Sequence, residues 1–182
     1  MMNTIGMIEL NSIAKGIETA DIMVKAAEVN LVMAKPICPG KYLILIAGDV
    51  GSVNSSIEAG VQNGSLYVVD KLLLPRVHPQ LLNAINQSSD IGEVNAVGVL
   101  EYYSIATAIV GADAAVKASN IQLIEVRLGI GIGGKAFVTF TGDISSVNEA
   151  VEVGAKIGSD NGLLVNKVVI PSPTKELFNK LL

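Results

Sequence analysis

Scarcity is informative in this chain of 182 residues. It has one cysteine, Cys38, so no internal disulfide can close, which fits a reducing compartment. It has one histidine, His78, so neither a Ser-His-Asp nor a Cys-His arrangement can be assembled twice over. Tryptophan is absent and aromatic residues make up 4%, so the apolar half of the chain is mostly Ile, Val, Leu and Ala. Charged residues are only 16%, and the net charge of −4 leaves no basic excess for nucleic acid. No apolar run approaches the roughly 18–20 residues of a membrane span. The opening stretch MMNTIGMIELNSIAKG has no basic segment followed by an apolar one, so a cytoplasmic protein is expected. A chain this apolar with so little charge fits an outer surface partly covered in an oligomer, or else a compact α/β core.

What is present is a duplication. IGMIELNSIAKGIETADIMVKAA from Ile5 aligns with VGVLEYYSIATAIVGADAAVKAS from Val97, and Gly6 and Gly98 stand 92 positions apart. Glu9, Ser12, Asp21 and Lys25 recur as Glu101, Ser104, Asp113 and Lys117. Further on, GKYLILIAGDVGSVN aligns with GKAFVTFTGDISSVN, where Gly48 and Gly142 stand 94 apart. The second copy is therefore two residues longer, and the extra length falls at the loop where the first has its cysteine. Two long units, instead of many short ones, mean tandem domains and not a solenoid. The boundaries expected are residues 4–86, a polar linker at 87–95 and residues 96–182.

Each unit predicts the order β-α-β-β-α-β-α, an α+β layer of sheet with helices against it. Ser12 and Asp49 are placed to cap helices, and Ile13, Ile17, Ala20, Val24 and Ala27 fall at helical spacing. KYLILIA reads as a buried strand, and HPQLLNAI as a short closing helix of the first unit.

Several motifs invite a catalytic reading. GIGIGGKA, Gly129 to Ala136, satisfies G-x-G-x-x-G and nearly a P-loop. Both phosphate-binding devices need a helix N-terminus directly after the loop. KAFVTF alternates like a strand instead, so the run is a strand-to-strand loop. His78, in PRVHP, reads as a turn residue. Glu9 and Glu101 recur at equivalent places and are not a carboxylate pair.

Cys38 breaks the repeat, since its counterpart region is glycine and isoleucine. Its turn, KPICPGK, is not the apolar setting of an inert thiol. Packing, nucleophile and metal ligand all stay open from the residues alone. Cys followed by Pro occurs at iron–sulfur ligands, and a threefold oligomer would turn one cysteine into three.

Both halves resemble the bacterial microcompartment shell proteins. The likeness is carried by IGMIEL, ADIMVKAA, GKYLILIAGDVGSVNSSIEAG and LLLPRVHP, and by VGVLEYYS, ADAAVKAS, GGKAFVTFTGDISSVNEAVEVG and VVIPSP. A tandem pair with CPG in the first loop is similar to the trimeric members of propanediol-utilising compartments. The resemblance implies a non-enzymatic shell tile, a homotrimer with the pseudohexameric outline of the single-domain hexamers. It implies a central pore lined by Ile37, Cys38, Pro39 and Gly40 and by Gly131, Ile132, Gly133 and Gly134. It implies one 4Fe-4S cluster per trimer held by Cys38 from three chains, relaying electrons across the shell. It also implies shell-edge contacts at Lys25, Lys117 and Arg76, other shell proteins as neighbours, and a cobalamin-reductase-like redox enzyme as partner. Nucleic acid and membrane are not expected partners. The alternative is an open pore conducting a small metabolite, with no cluster.

Overall fold

In the computed structural model of the chain, residues 4–92 and 95–181 are described. The first unit runs β1 (Thr4–Leu10), α1 (Ile13–Ala26), β2 (Asn30–Ile37), β3 (Lys41–Gly48), α2 (Val50–Gly64), a 3-10 turn (Ser65–Tyr67) and β4 (Val68–Pro75). A short helix, α3 (Pro79–Ile85), follows. The second unit continues with β5 (Ala96–Tyr102), α4 (Ile105–Ala118), β6 (Ile121–Leu128), β7 (Ala136–Gly142), α5 (Ile144–Ser159), β8 (Leu164–Ile170) and α6 (Lys175–Leu181). The expected order of elements is present in both copies.

Each unit holds an antiparallel four-stranded sheet, ordered β2-β3-β1-β4 in the first and β6-β7-β5-β8 in the second. The continuous apolar runs IGMIEL and YLILIA become the two central strands, buried on both faces, whereas β4 at the edge alternates half-buried and exposed. Ser12 and Asp49 cap α1 and α2, as Ser104 and Asp143 cap α4 and α5. Their side-chain oxygens accept from N–H groups that have no partner inside the helix. The duplication extends to irregularities. Register shifts between Leu31 and Met33 and between Glu9 and Leu10 recur between Leu123 and Glu125 and between Glu101 and Tyr102.

In the first unit Ile8, Leu10, Met23, Tyr42, Ile44, Ile46, Val53 and Ile57 form one cluster between sheet and helices. Each large side chain buried there contributes on the order of 1.5–3 kcal/mol. The two copies fill this layer differently. In the first, Tyr42 lies under Gly16, where an added Cβ would come within 2.4 Å of the tyrosine. In the second, Ala136 replaces that tyrosine, and Tyr102 enters from β5 against Gly111, where a Cβ would meet its hydroxyl at 2.3 Å.

The compact units divide between Val77 and His78, so α3 goes with the second unit. This differs from the expected first domain of residues 4–86, and the reason is local bonding. The His78 N–H donates to the Asp113 carboxylate at 2.7 Å. Gln80 Oε1 accepts from the Leu123 N–H at 2.8 Å, and Leu81, Ala84 and Ile85 are buried. The amphipathic face of α3 is satisfied by β6 and α4 of the copy that follows it in sequence. Glu93 and Val94 of the expected linker, and Leu182 at the expected end of the second domain, lie outside the described residues.

Candidate functional site

The first candidate loop is the tip of the β2–β3 hairpin. Ile37 is buried, Cys38 is half-buried, and Pro39 and Gly40 are exposed. The Cys38–Pro39 peptide bond is cis, and Gly40 has φ of 84°, a left-handed value that glycine adopts without a Cβ clash. The Gly40 N–H donates to the Ile37 carbonyl at 3.0 Å and closes the turn. The tip therefore presents one thiol on a short, bonded reversal flanked by the edges of two strands.

The second candidate loop joins β6 to β7, as the alternating KAFVTF requires. Gly129, Gly131, Gly133 and Gly134 all have φ between 66° and 81°, so the loop winds with little contribution from side chains. The Gly129 N–H donates to the Lys135 carbonyl at 3.1 Å. Because a strand follows the loop, its N–H groups are not arrayed at a helix N-terminus, and the phosphate-binding reading fails on geometry. At its base the Arg127 guanidinium lies 5.3 Å from the centre of the Phe137 ring.

Sequence reasoning missed what anchors these loops. Lys41, the first residue after the cysteine turn, places its ammonium 2.6 Å from the buried Glu9 carboxylate on β1. Lys135, after the glycine loop, pairs with Glu101 in the same way, and that carboxylate holds the lysine above its ordinary range. The signal was available. Glu9 and Glu101 recur, and so does the Gly-Lys that ends each loop. Only the register of β1 against β3 and of β5 against β7 shows that acid and lysine meet.

The expected edge residues lie elsewhere. Lys25 and Lys117 sit in the last turns of α1 and α4, each 2.5 Å from the aspartate one turn earlier, Asp21 or Asp113. Arg76 is exposed just after β4, with φ of 54°. His78 is a helix cap, its Nδ1 accepting from the Gln80 N–H at 3.4 Å.

For an iron–sulfur group the donor chemistry suits in kind and not in number. A thiol is the right ligand for the metal. Among the described residues of one chain, no three His, Cys, Asp or Glu side chains gather. No helix among the described residues is long and apolar enough to cross a membrane.

Comparison with known proteins matches the BMC domain model to residues 4–77 and again to 96–173. The chain is 44% identical over its whole length, and over 98% of the relative, to the bacterial microcompartment shell protein PduT of Citrobacter freundii. A carboxysome assembly protein of Synechocystis, CcmO, is 26% identical over 98% of the chain, which spans 64% of that relative. Among solved structures, a microcompartment protein from Desulfitobacterium hafniense superposes with a TM-score of 0.95 at 51% identity, covering 98% of this chain and 99% of that one.

Proposed function

Because this chain belongs to the BMC-domain family and is a structural shell protein of a bacterial microcompartment, we propose that it works as a homotrimer with the two kinds of hairpin tip around its axis. A cyclic trimer brings three copies of every loop to one place. Six domains then form one tile, which meets other shell proteins through Lys25, Lys117 and Arg76. Ile37, Cys38, Pro39 and Gly40 line the pore in alternation with Gly131, Ile132, Gly133 and Gly134.

Cys38 carries the finer reading. It stands at the hairpin tip of the copy that abandons glycine, with Lys41 pinning the hairpin's end to β1. Three such thiols would hold a 4Fe-4S group through three irons and leave the fourth open. The group supplies one-electron exchange when bound. The tile's own residues keep the thiols at fixed positions, and the glycine-rich second loop leaves room around them. The role that follows is an electron relay across the shell, with no reaction catalysed on a substrate. A reductase resembling the cobalamin-reducing flavoproteins is the partner such a relay would serve. The location is the shell of a compartment in the cytoplasm.

Anaerobic purification followed by iron and sulfide analysis tests this. A brown trimer with visible absorbance that Cys38→Ser abolishes is the expected result. A trimer that stays colourless and free of iron after reconstitution overturns the cluster and leaves the shell role intact. The second reading is then an open pore for a small metabolite. It is favoured by the tip at residues 129–134, which carries no ionisable side chain and has open space beside Gly131 and Gly133. Solute flux through reconstituted shells, compared with and without thiol blocking, distinguishes the two.

A further inference from the structure

The duplication makes an internal comparison possible, and the two copies differ at one groove. In the second unit Lys167 on β8 reaches across to Glu152 on α5, its ammonium 2.6 and 2.5 Å from the two carboxylate oxygens. This clasp joins the helix to the edge strand of its sheet. Both residues recur in the first unit, Glu58 as the counterpart of Glu152 and Lys71 as that of Lys167. There the clasp is open.

The asparagine one turn before the acid accounts for the difference. Asn148 donates its amide to the Ile144 carbonyl of its own helix at 2.8 Å, which leaves Glu152 for the lysine. Asn54 donates instead to Glu58, at 2.9 Å, and holds that carboxylate along α2. Among the described residues, the Lys71 ammonium has no hydrogen-bond or ion-pair partner. The first unit therefore keeps two opposite charges apart where the second has joined them.

Between α2 and β4 lies a groove of about 410 Å³, a size within the roughly 300–1,000 Å³ of small-molecule sites. Ile57, Val61 and Leu73 give it an aliphatic wall, and Glu58 and Lys71 both line it. Leu73 is 39% exposed, so apolar surface stands open beside the two charges. The charges decide the class of ligand. A simple carboxylate is drawn to Lys71 and repelled by Glu58, and a simple amine meets the reverse. A molecule carrying both charges satisfies both. A wholly polar one would leave Val61 and Leu73 in water.

We propose that this groove binds a small aliphatic zwitterion of the α-amino-acid class. Its carboxylate meets the Lys71 ammonium, its ammonium meets the Glu58 carboxylate, and its chain lies along Val61 and Leu73. The bound molecule takes the place of the missing clasp and joins α2 to β4 as Glu152 and Lys167 join α5 to β8. The site lies within one unit and depends neither on the ring nor on Cys38.

Titration of the full chain with L-leucine, followed through methyl resonances in NMR spectra, tests this. Val61 and Leu73 should shift in a saturable way. Their counterparts in the clasped copy, Ala155 and Val169, should stay still and serve as a control within the same molecule. Isocaproate lacks the ammonium and isoamylamine lacks the carboxylate. Each should bind at least about tenfold more weakly than leucine, because each loses one charged hydrogen bond. Lys71→Met and Glu58→Gln should each weaken leucine by a similar factor, and both positions are exposed, so the core is undisturbed. Leucine that shifts neither methyl group, or shifts the two copies alike, overturns the proposal. So does leucine that binds no better than its two singly charged analogues, or as well after either substitution.

Discussion

The Lys41 ammonium lies 2.6 Å from the carboxylate of Glu9, a residue only 5% exposed. This pair ties the first residue after the cysteine turn to β1, a central strand of its sheet. Removing the lysine leaves a buried carboxylate without its charged donor, and Lys41→Ala should cost about 1–3 kcal/mol. Denaturant titration measures the loss. If Cys38 holds a cluster in a trimer as proposed, the same variant should also lower the iron content after reconstitution, because the thiols lose their fixed spacing. Equal iron at lower stability would separate the pair from the pore.

Tyr102 is fully buried and donates its hydroxyl to the Gly154 carbonyl at 2.9 Å, and burial pushes its phenol well above the ordinary range. Tyr102→Phe keeps the ring and removes the hydroxyl's bond to the Gly154 carbonyl, which lies inside α5. It should destabilise by about 1–2 kcal/mol with no change in assembly. Gly111→Ala should cost more, since its Cβ would meet the tyrosine hydroxyl at 2.3 Å. Thermal unfolding of both variants checks the order.

Asp49 and Asp143 cap equivalent helices, and each carboxyl is held below its usual value, first by the serine hydroxyl three residues on, Ser52 or Ser146. A group depressed in the folded state stabilises the fold above its unfolded pKa, and that stability fades as pH falls through the folded value. The double variant Asp49→Ala with Asp143→Ala should therefore unfold at a lower temperature at neutral pH. The gap to wild type should close below about pH 4. A gap that holds constant into acid would show that the caps act without their charge.

Lys25 is 72% exposed and pairs with Asp21. If it joins tiles at their edges, Lys25→Ala should leave the trimer intact and reduce its assembly into sheets, as seen by electron microscopy. Surface ion pairs contribute little to folding, so the unfolding midpoint should move by less than about 1 kcal/mol equivalent.

Much of the fold was legible because it is written twice. Each recurring Ser or Asp marked a helix start, and each apolar run a central strand, since local hydrogen bonding and burial dictate both. The two loops could be found from the two-residue difference between the copies. The Glu9–Lys41 and Glu101–Lys135 pairs could not, because 32 and 34 positions of sequence separate the partners and only strand register brings them together. The exchange of Tyr42 for Tyr102 was equally hidden, as both fill one kind of space from different strands.

The sequence by itself determined that this chain is a tandem of one α+β unit, with a single thiol at the loop where the copies part. Tertiary structure alone decided where α3 belongs. Sequence order joins that helix to the first unit, but its N–H groups and leucines find their partners on Asp113 and β6 of the second. A short amphipathic helix has no stability of its own and settles on the surface that buries it.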